Sequence, residues 1–378
     1  MREQLRPFHT AILIHMVQTG VLIMSLPHTL AVNFGYNGWI VVPIISVIVC
    51  VDIALIAVVY RLAKGRSVFE ILEQSIPRLI LIPFYVFLAS LWAMIGSLVA
   101  KQYVLIIQMI AFPSTSPMQL LFAVEVLCLL LLVHGVFAIS RGATAFFWLF
   151  FSMLLLLPLF FKEFNWSRAT TFILQGGHDP LKGSFEVFSA FLGVELALLL
   201  FPFVSPRGFG RAVLAGHLLT TVSYTSISLV SFGFYSFGQL QLIVYPMMDL
   251  LAFIKFPFIE RLETLLFGIF LFTVIITETM YSWAAVETLK RLRKPVTNPI
   301  QRSAKEVYKP SLGSKLLSVG VIAASFCASW IPTVLMEVEQ WLSLLGRIEL
   351  GVAFGLPLLL LLLLPFQNKK KEGQPNAS

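Results

Sequence analysis

Long stretches almost free of charge, separated by short polar breaks, set the pattern of this chain. Ten of them stand out: 10–31, 39–60, 79–111, 119–140, 143–161, 184–205, 212–236, 263–286, 314–336 and 348–366. A helix needs about 20 apolar residues to cross the hydrocarbon core of a bilayer. Non-helical backbone in lipid would leave amides unpaired at several kcal/mol each, so each stretch predicts a membrane helix. The alternating segments of about 10 residues that build a membrane β-barrel are absent. The expected architecture is an all-α polytopic membrane protein, one ten-helix domain over 1–366 with a polar tail at 367–378.

Composition agrees. Hydrophobic residues make up 58% of the chain and charged residues 12%, about half the ~25% of ordinary globular proteins. Mean hydropathy is +0.88. A soluble fold of 378 residues cannot hide that much apolar surface. Soluble enzymes, DNA-binding proteins and disordered chains are thereby excluded. The net charge of +8 reads as topology rather than as nucleic-acid affinity. With the N-terminus in the cytoplasm, 20 of the 27 Lys and Arg fall on the cytoplasmic side and 6 outside. The bias places both termini inside and requires an even number of spans. Arg2 and Arg6 precede a first span with no small-residue cleavage site, so that span is expected to stay in the mature protein. Cys50, Cys128 and Cys327 lie singly in apolar runs and read as small buried hydrophobes. The 287–313 segment is the main cytoplasmic loop. The long outer segments are 162–183 and 237–262, and the latter is apolar enough to lie on the membrane or cap the bundle.

Two spans are interrupted. Span 1 reads TAILIHMVQTGVLIMSLPHTLA, with Gly20 and Pro27 inside it. Span 6 reads SFEVFSAFLGVELALLLFPFV, with Gly193, Glu195 and Pro202 inside it. If the chain divides as five plus five, about 10–161 and 184–366, each opens a half. An odd number of spans then inverts the second half. Paired Gly/Pro-interrupted spans are the sequence pointer to a transporter-type binding site. An unwound turn frees backbone amides and carbonyls, and half-helix N-termini favour an anionic group such as a carboxylate. Gly and Pro also serve membrane helices as kinks and packing positions. Gly20, Val21, Leu22, Gly193 and Glu195 are therefore candidates for ligand contact or for packing, and Pro27 and Pro202 for gating or structure.

The order of these motifs resembles the spore germination permeases. QLRPFHTAILIHMVQTGVLIMSLP is similar to their first span, HGVFAISR (His134–Arg141) to the turn after their fourth, and FLGVELALLLFPF to their sixth. The resemblance implies membership in the amino acid–polyamine–organocation superfamily and its leucine-transporter-like inverted repeat. It further implies the integral-membrane B subunit of a nutrient germinant receptor, partnered by an A subunit and a C lipoprotein in the inner membrane of an endospore, with no cofactor. Two departures stand out. The superfamily favours Gly-x-Gly in span 1, where this chain has Leu22, and Phe137 occupies a position that is often acidic.

Ionisable residues inside spans cost about 2.5–3.5 kcal/mol at a helix centre, so they face a cavity or a partner. Lys101 lies in span 3 with Gln102, Tyr103 and Gln108. It can stand in for a coupling cation, pair with Glu195, or snorkel to the outer interface. Thr277 and Glu278 sit mid-way along span 8, which lines the central site in this fold. Thr277 is a candidate contact, or a hydroxyl bonded back to its own helix, and Glu278 a gating or structural group. Asp52 and Glu125 read as bundle contacts. His15, His134 and His217 are scattered, without the convergence that a metal site requires. Two functions share this cavity: a receptor subunit that senses a small nutrient such as an amino acid, and a secondary amino acid or amine transporter, proton-coupled or sodium-independent. HExxH and GxSxG motifs are absent, which argues against an enzyme.

Overall fold

The computed structural model describes residues 4–64, 66–204, 208–254, 262–293 and 311–372. These residues are helical almost throughout, with two isolated β-bridges, Leu5 to Val204 and Gly35 to Gly176. Span 1 is two rods, α1 (Pro7–Gln18) and α2 (Leu26–Phe34), joined by a 3-10 turn at Val21–Met24. The next helices are α3 (Val41–Ala63), a short α4 (Val68–Ser75), α5 (Arg78–Ala111), α6 (Pro117–Leu132) and α7 (Val136–Leu154). A connecting segment holds α8 (Trp166–Thr170). Span 6 is again divided: α9 (Pro180–Ser189), a stretch of turns, then a 3-10 run at Glu195–Leu200. The chain continues through α10 (Phe209–Phe234), the short α11 (Phe237–Leu242) and α12 (Pro246–Ala252), α13 (Leu262–Arg293), α14 (Leu312–Ala328) and α15 (Leu335–Glu372).

The ten expected stretches therefore fold into rods of three kinds. Among the described residues, six helices are long and apolar enough to cross a membrane, α6 and α14 are shorter, and spans 1 and 6 are broken. The count of ten full-length spans is not reproduced. Several ends also move. Spans 4 and 5 were expected to meet at 140–143, but the junction falls at His134–Gly135, because Gly135 adopts φ +80 and starts α7. Span 10 begins at Leu335 rather than 348. Pro332 cannot continue α14, and the Glu337 carboxylate accepts the free Thr333 and Val334 amides to start a new helix. That helix runs on to Glu372, so the tail expected from 367 begins as helix. Helix α13 likewise extends to Arg293, into the predicted loop, of which 294–310 lie outside the described residues.

Helix α13 is the most enclosed, with 67% of its most apolar window buried, and it packs against α5, α6, α7 and α1. Helix α1 lies in turn on α10 and α7. The outer faces of α3, α5, α6 and α7 expose large side chains such as Val47, Leu79, Phe122 and Trp148, as lipid contact requires. Short helices α11 and α12 pack on α2, the Val21–Met24 turn and α13, so this part of the 237–262 segment caps the bundle, while residues 255–261 lie outside the described residues. Cys128 is buried, whereas Cys327 is exposed and Cys50 half-buried, so only one of the three cysteines is a core residue.

Helices α10 and α1 approach each other backbone to backbone. A Cβ on Gly216 would lie 2.3 Å from the Ala11 carbonyl oxygen. We expect Gly216→Val to push the two helices apart and sharply reduce the yield of monodisperse protein in size-exclusion chromatography. Gly268→Ala, whose added atom meets nothing within 4 Å, should leave that yield unchanged.

Candidate functional site

The two interruptions meet. Helix α1 stops at Gln18: Thr19 still makes the helical amide bond to the His15 carbonyl, but at ψ 77 the chain leaves the helix, Gly20 is extended, and its amide turns to the Gln18 carbonyl. Pro27 lies in the first turn of α2, where a missing amide hydrogen costs nothing, so it starts the second rod rather than kinking a continuous one. On the other side, Gly193 takes φ +105, and a Cβ there would also lie 2.6 Å from Val17 Cγ1. Only glycine satisfies both constraints. Pro202 lies just beyond the 3-10 run, in the turn that leads out of span 6.

Side chains lash the breaks together. The Gln18 amide donates to the Phe191 carbonyl at 2.6 Å. The Tyr224 hydroxyl, from α10, lies within bonding distance of the Gln18 carbonyl (2.6 Å) and the Ala190 carbonyl (3.0 Å), one from each break. Thr277 Oγ1 reaches Met16 O (3.3 Å), Val17 O (3.1 Å) and its own helix at Thr273 O (3.0 Å). The back-bonding reading of Thr277 holds, and the same hydroxyl also lies on two α1 carbonyls at the break. Both Glu195 carboxyl oxygens accept the Gly193 amide, at 2.9 and 2.8 Å.

Between the breaks lies a cavity of about 290 Å³. Its floor is Gln18, Gly20, Val21 and Leu22 with Thr277 and Tyr281. It extends past His28 and Thr29 toward Glu186, Glu339 and Arg347. At this end Tyr245 donates to Glu339 at 3.3 Å, and burial together with that carboxylate pushes its hydroxyl above the ordinary tyrosine range. Among the described residues the amides of Val21 and Leu22 make no backbone hydrogen bond. The buried Gln18 Oε1 has no donor. The floor thus offers two free donors at the break, while Gln18 Oε1 is shut off from the cavity by its burial.

Of the sequence candidates, Gly20, Val21, Leu22 and Thr277 line this cavity, while Gly193 and Glu195 stand behind its wall. Lys101 and Tyr103 are elsewhere. The Lys101 ammonium is buried against the carbonyls of Ser329 and Pro332, the free C-terminal end of α14. It neither reaches Glu195 nor snorkels outward: the carbonyls at and just beyond the end of α14 face it, and the Glu337 carboxylate is near enough for its charge to act on it. Tyr103 stacks on Phe267 and donates to the Phe267 carbonyl at 2.9 Å. Glu278, fully buried, accepts Cys128 Sγ at 3.0 Å and faces Glu125, which accepts Ser97 at 2.8 Å. Among the described residues no group of three or more His, Cys, Asp or Glu could hold a metal ion. Sequence reasoning missed Gln18, Tyr224, Tyr281 and Glu349. Gln18 was detectable as a lone amide two residues before Gly20.

The profile of the spore germination protein family matches residues 4–299. The chain belongs to the spore germination permease family. It is 24% identical over 293 residues to spore germination protein GerQB of Bacillus cereus, covering 76% of this chain and 80% of that protein. It is also 24% identical over 288 residues to spore germination protein A2 of Bacillus subtilis strain 168, covering 72% and 76%. In fold it is similar to a Na+-coupled sialic acid symporter in a substrate-bound outward-open state. That likeness has a TM-score of 0.66 and 13% identity over 95% of this chain and 79% of the other. It is also similar to Mhp1, a nucleobase-cation-symport-1 family transporter, in a closed conformation with bromovinylhydantoin bound. There the TM-score is 0.61 and identity 12%, over 94% and 78%. The fold of this spore germination permease is therefore leucine-transporter-like, with spans 1 and 6 discontinuous. Of its two sequence departures, Leu22 projects into the cavity wall, and Phe137 packs edge-on against Phe203 at the exit of span 6, 6.0 Å between ring centroids.

Two substitutions separate packing from cavity roles. Gly193→Ala meets both the positive φ and Val17, whereas a Cβ on Gly20 meets nothing within 4 Å. We expect Gly193→Ala to lower thermal stability by about 1–3 kcal/mol, and Gly20→Ala to leave it within about 0.5 kcal/mol, both read by thermal denaturation of the purified protein. Lys101→Met should destabilise by about 1.5–3 kcal/mol, the worth of charged hydrogen bonds lost from the α14 carbonyls. It should leave the affinity of any cavity ligand unchanged in equilibrium binding.

Proposed function

We propose that this permease is the integral-membrane subunit of a nutrient germinant receptor, binding a small amino acid in the cavity between the two breaks and passing the bound state to partner subunits. The observation that carries the reading is that one cavity holds groups for both ends of an amino acid. The Val21 and Leu22 amides can donate to a carboxylate, and the Glu186 and Glu339 carboxylates of the same lining can accept from an ammonium. A zwitterion presents those two groups a few ångströms apart. Leu22, Ile95, Val99 and Leu192 supply an apolar wall for a small side chain. The volume of about 290 Å³ suits a small solute.

Signalling needs two arrangements that the ligand binds unequally. The half comprising about 10–161 and the half comprising about 184–366 are the bodies that shift, with the Tyr224 and Gln18 bonds across the breaks as the contacts that change. The family relationship supports a receptor complex with an A subunit and a C lipoprotein in the spore inner membrane. Both termini are cytoplasmic in this reading, and the cavity then extends toward the outer face.

The symporter-like fold favours a second reading, a secondary transporter of amino acids or amines. Liposomes containing this chain alone separate the two. Gradient-driven accumulation of labelled amino acids would identify a transporter, and binding without accumulation a receptor subunit. In spores, Gly20→Leu should fill the cavity floor and shift the amino-acid dose response at least tenfold, about 1.4 kcal/mol of binding, with receptor subunit levels unchanged. An unaltered dose response across a panel of L-amino acids would remove the cavity as the nutrient site.

A further inference from the structure

Behind the cavity wall lies a group of acids that nothing in the nutrient reading uses. Glu195 is 2% exposed, and besides holding the Gly193 amide its Oε1 accepts the Tyr281 hydroxyl at 3.0 Å. Glu349 of α15 is wholly buried, and its carboxyl lies within hydrogen-bonding reach of Glu195. Its Oε1 accepts the Trp92 indole at 2.8 Å, while its Oε2 meets no donor. Asp52 of α3 is wholly buried too. Neither of its oxygens has a donor, and it is close enough for its charge to act on Glu195. The elements packed on the Glu195–Leu200 run are α3, α13 and α15. The titratable groups they turn toward it are Asp52, Tyr281 and Glu349. None is a cation. Among the described residues no Lys, Arg or His forms an ion pair with any of the three acids.

Three carboxylates cannot all be ionised in such a place. Each buried ion costs several kcal/mol even after relaxation, and like charges in contact add repulsion that low dielectric strengthens. Two carboxyls in hydrogen-bonding reach resolve this by holding one proton between them. The donorless Oε2 of Glu349 is the atom such a proton would satisfy.

We propose that Glu195 and Glu349 form a proton-binding site, and that the bound proton holds the span-6 break against α15 and α13 beside the cavity. The geometry makes the site a link as well as a lock. Tyr281 lines the cavity and donates to Glu195; Glu195 in turn accepts the amide of Gly193 at its positive φ. A ligand that moves Tyr281 therefore disturbs the carboxyl that holds the break. Loss of the proton would place two negative charges in contact and push span 6 away from α15. The proton site stands on these contacts alone; only its link to the cavity rests on the nutrient reading.

The test is infrared spectroscopy of the purified full chain at neutral pH, following the C=O stretch of protonated carboxyls and its shift in deuterated water. The wild type should show this band. Glu349→Gln and Glu195→Gln, which keep volume and a donor, should each remove a component that Glu125→Gln leaves in place. Trp92→Phe should move that component without abolishing it, because it removes only one hydrogen bond to the acid. A wild-type spectrum without the band at neutral pH would overturn the proposal before any variant is made. A band that both glutamine variants leave intact would overturn it too, by placing the proton elsewhere. The spectrum involves no nutrient, so an unaltered dose response in the Gly20→Leu spores would leave this result standing.

Discussion

Breaking a helix inside a bilayer strands polar backbone groups where no water reaches them, and the centre of this protein is arranged around that cost. Two rods are broken at the same depth, so their stranded groups can be served by one set of side chains. Tyr224 serves a carbonyl from each break with a single hydroxyl. Gln18 donates from the first break to the second, Thr277 reaches back to α1 from α13, and Glu195 occupies the Gly193 amide. The amides left over belong to Val21 and Leu22, which line the cavity, while Gln18 Oε1 stays buried without a partner. The cavity is polar at its floor because the structural side chains stop short of satisfying everything.

The same constraint explains the charge that looked most functional in the sequence. Lys101 is buried in the membrane domain, yet its ammonium lies on the Ser329 carbonyl that caps α14 and on the Pro332 carbonyl of the turn that follows. Glu337 does the complementary work at the start of α15, accepting amides there. A cation at a helix C-terminus and a carboxylate at the next helix N-terminus close one interhelical joint. These charges stabilise a junction that an unbroken pair of long helices would not have needed.

Much of the architecture was legible because lipid enforces a crude rule: apolar runs become helices, and glycine with proline marks where they fail. The breaks at Gly20 and Gly193 were readable for that reason. Helix ends were less so. A start at 348 for span 10 hid Glu349 as an interfacial residue, whereas the observed start at Leu335 carries it deep into the bundle. Tyr224 and Tyr281 were invisible for a different reason. They lie in α10 and α13, far in sequence from the atoms they serve, and nothing local distinguishes a core tyrosine from one that bridges two breaks. Lys101 misled because sequence shows a charge in a span but not the helix end that meets it.

The shared fixings of the two breaks also limit how the molecule can move. Separating the rods takes Tyr224 from at least one of its carbonyls and Gln18 from Phe191, leaving buried polar groups at about 1–3 kcal/mol each. That cost is too large for casual opening and small enough to be offset by a ligand that supplies its own donors and acceptors at the same place. A zwitterion between the breaks would do so, replacing bonds between the rods with bonds to itself. The leucine-transporter-like fold can therefore serve a transporter or a sensor with the same central chemistry. What differs is whether the released rods open a path through the membrane or only move a surface that another subunit reads.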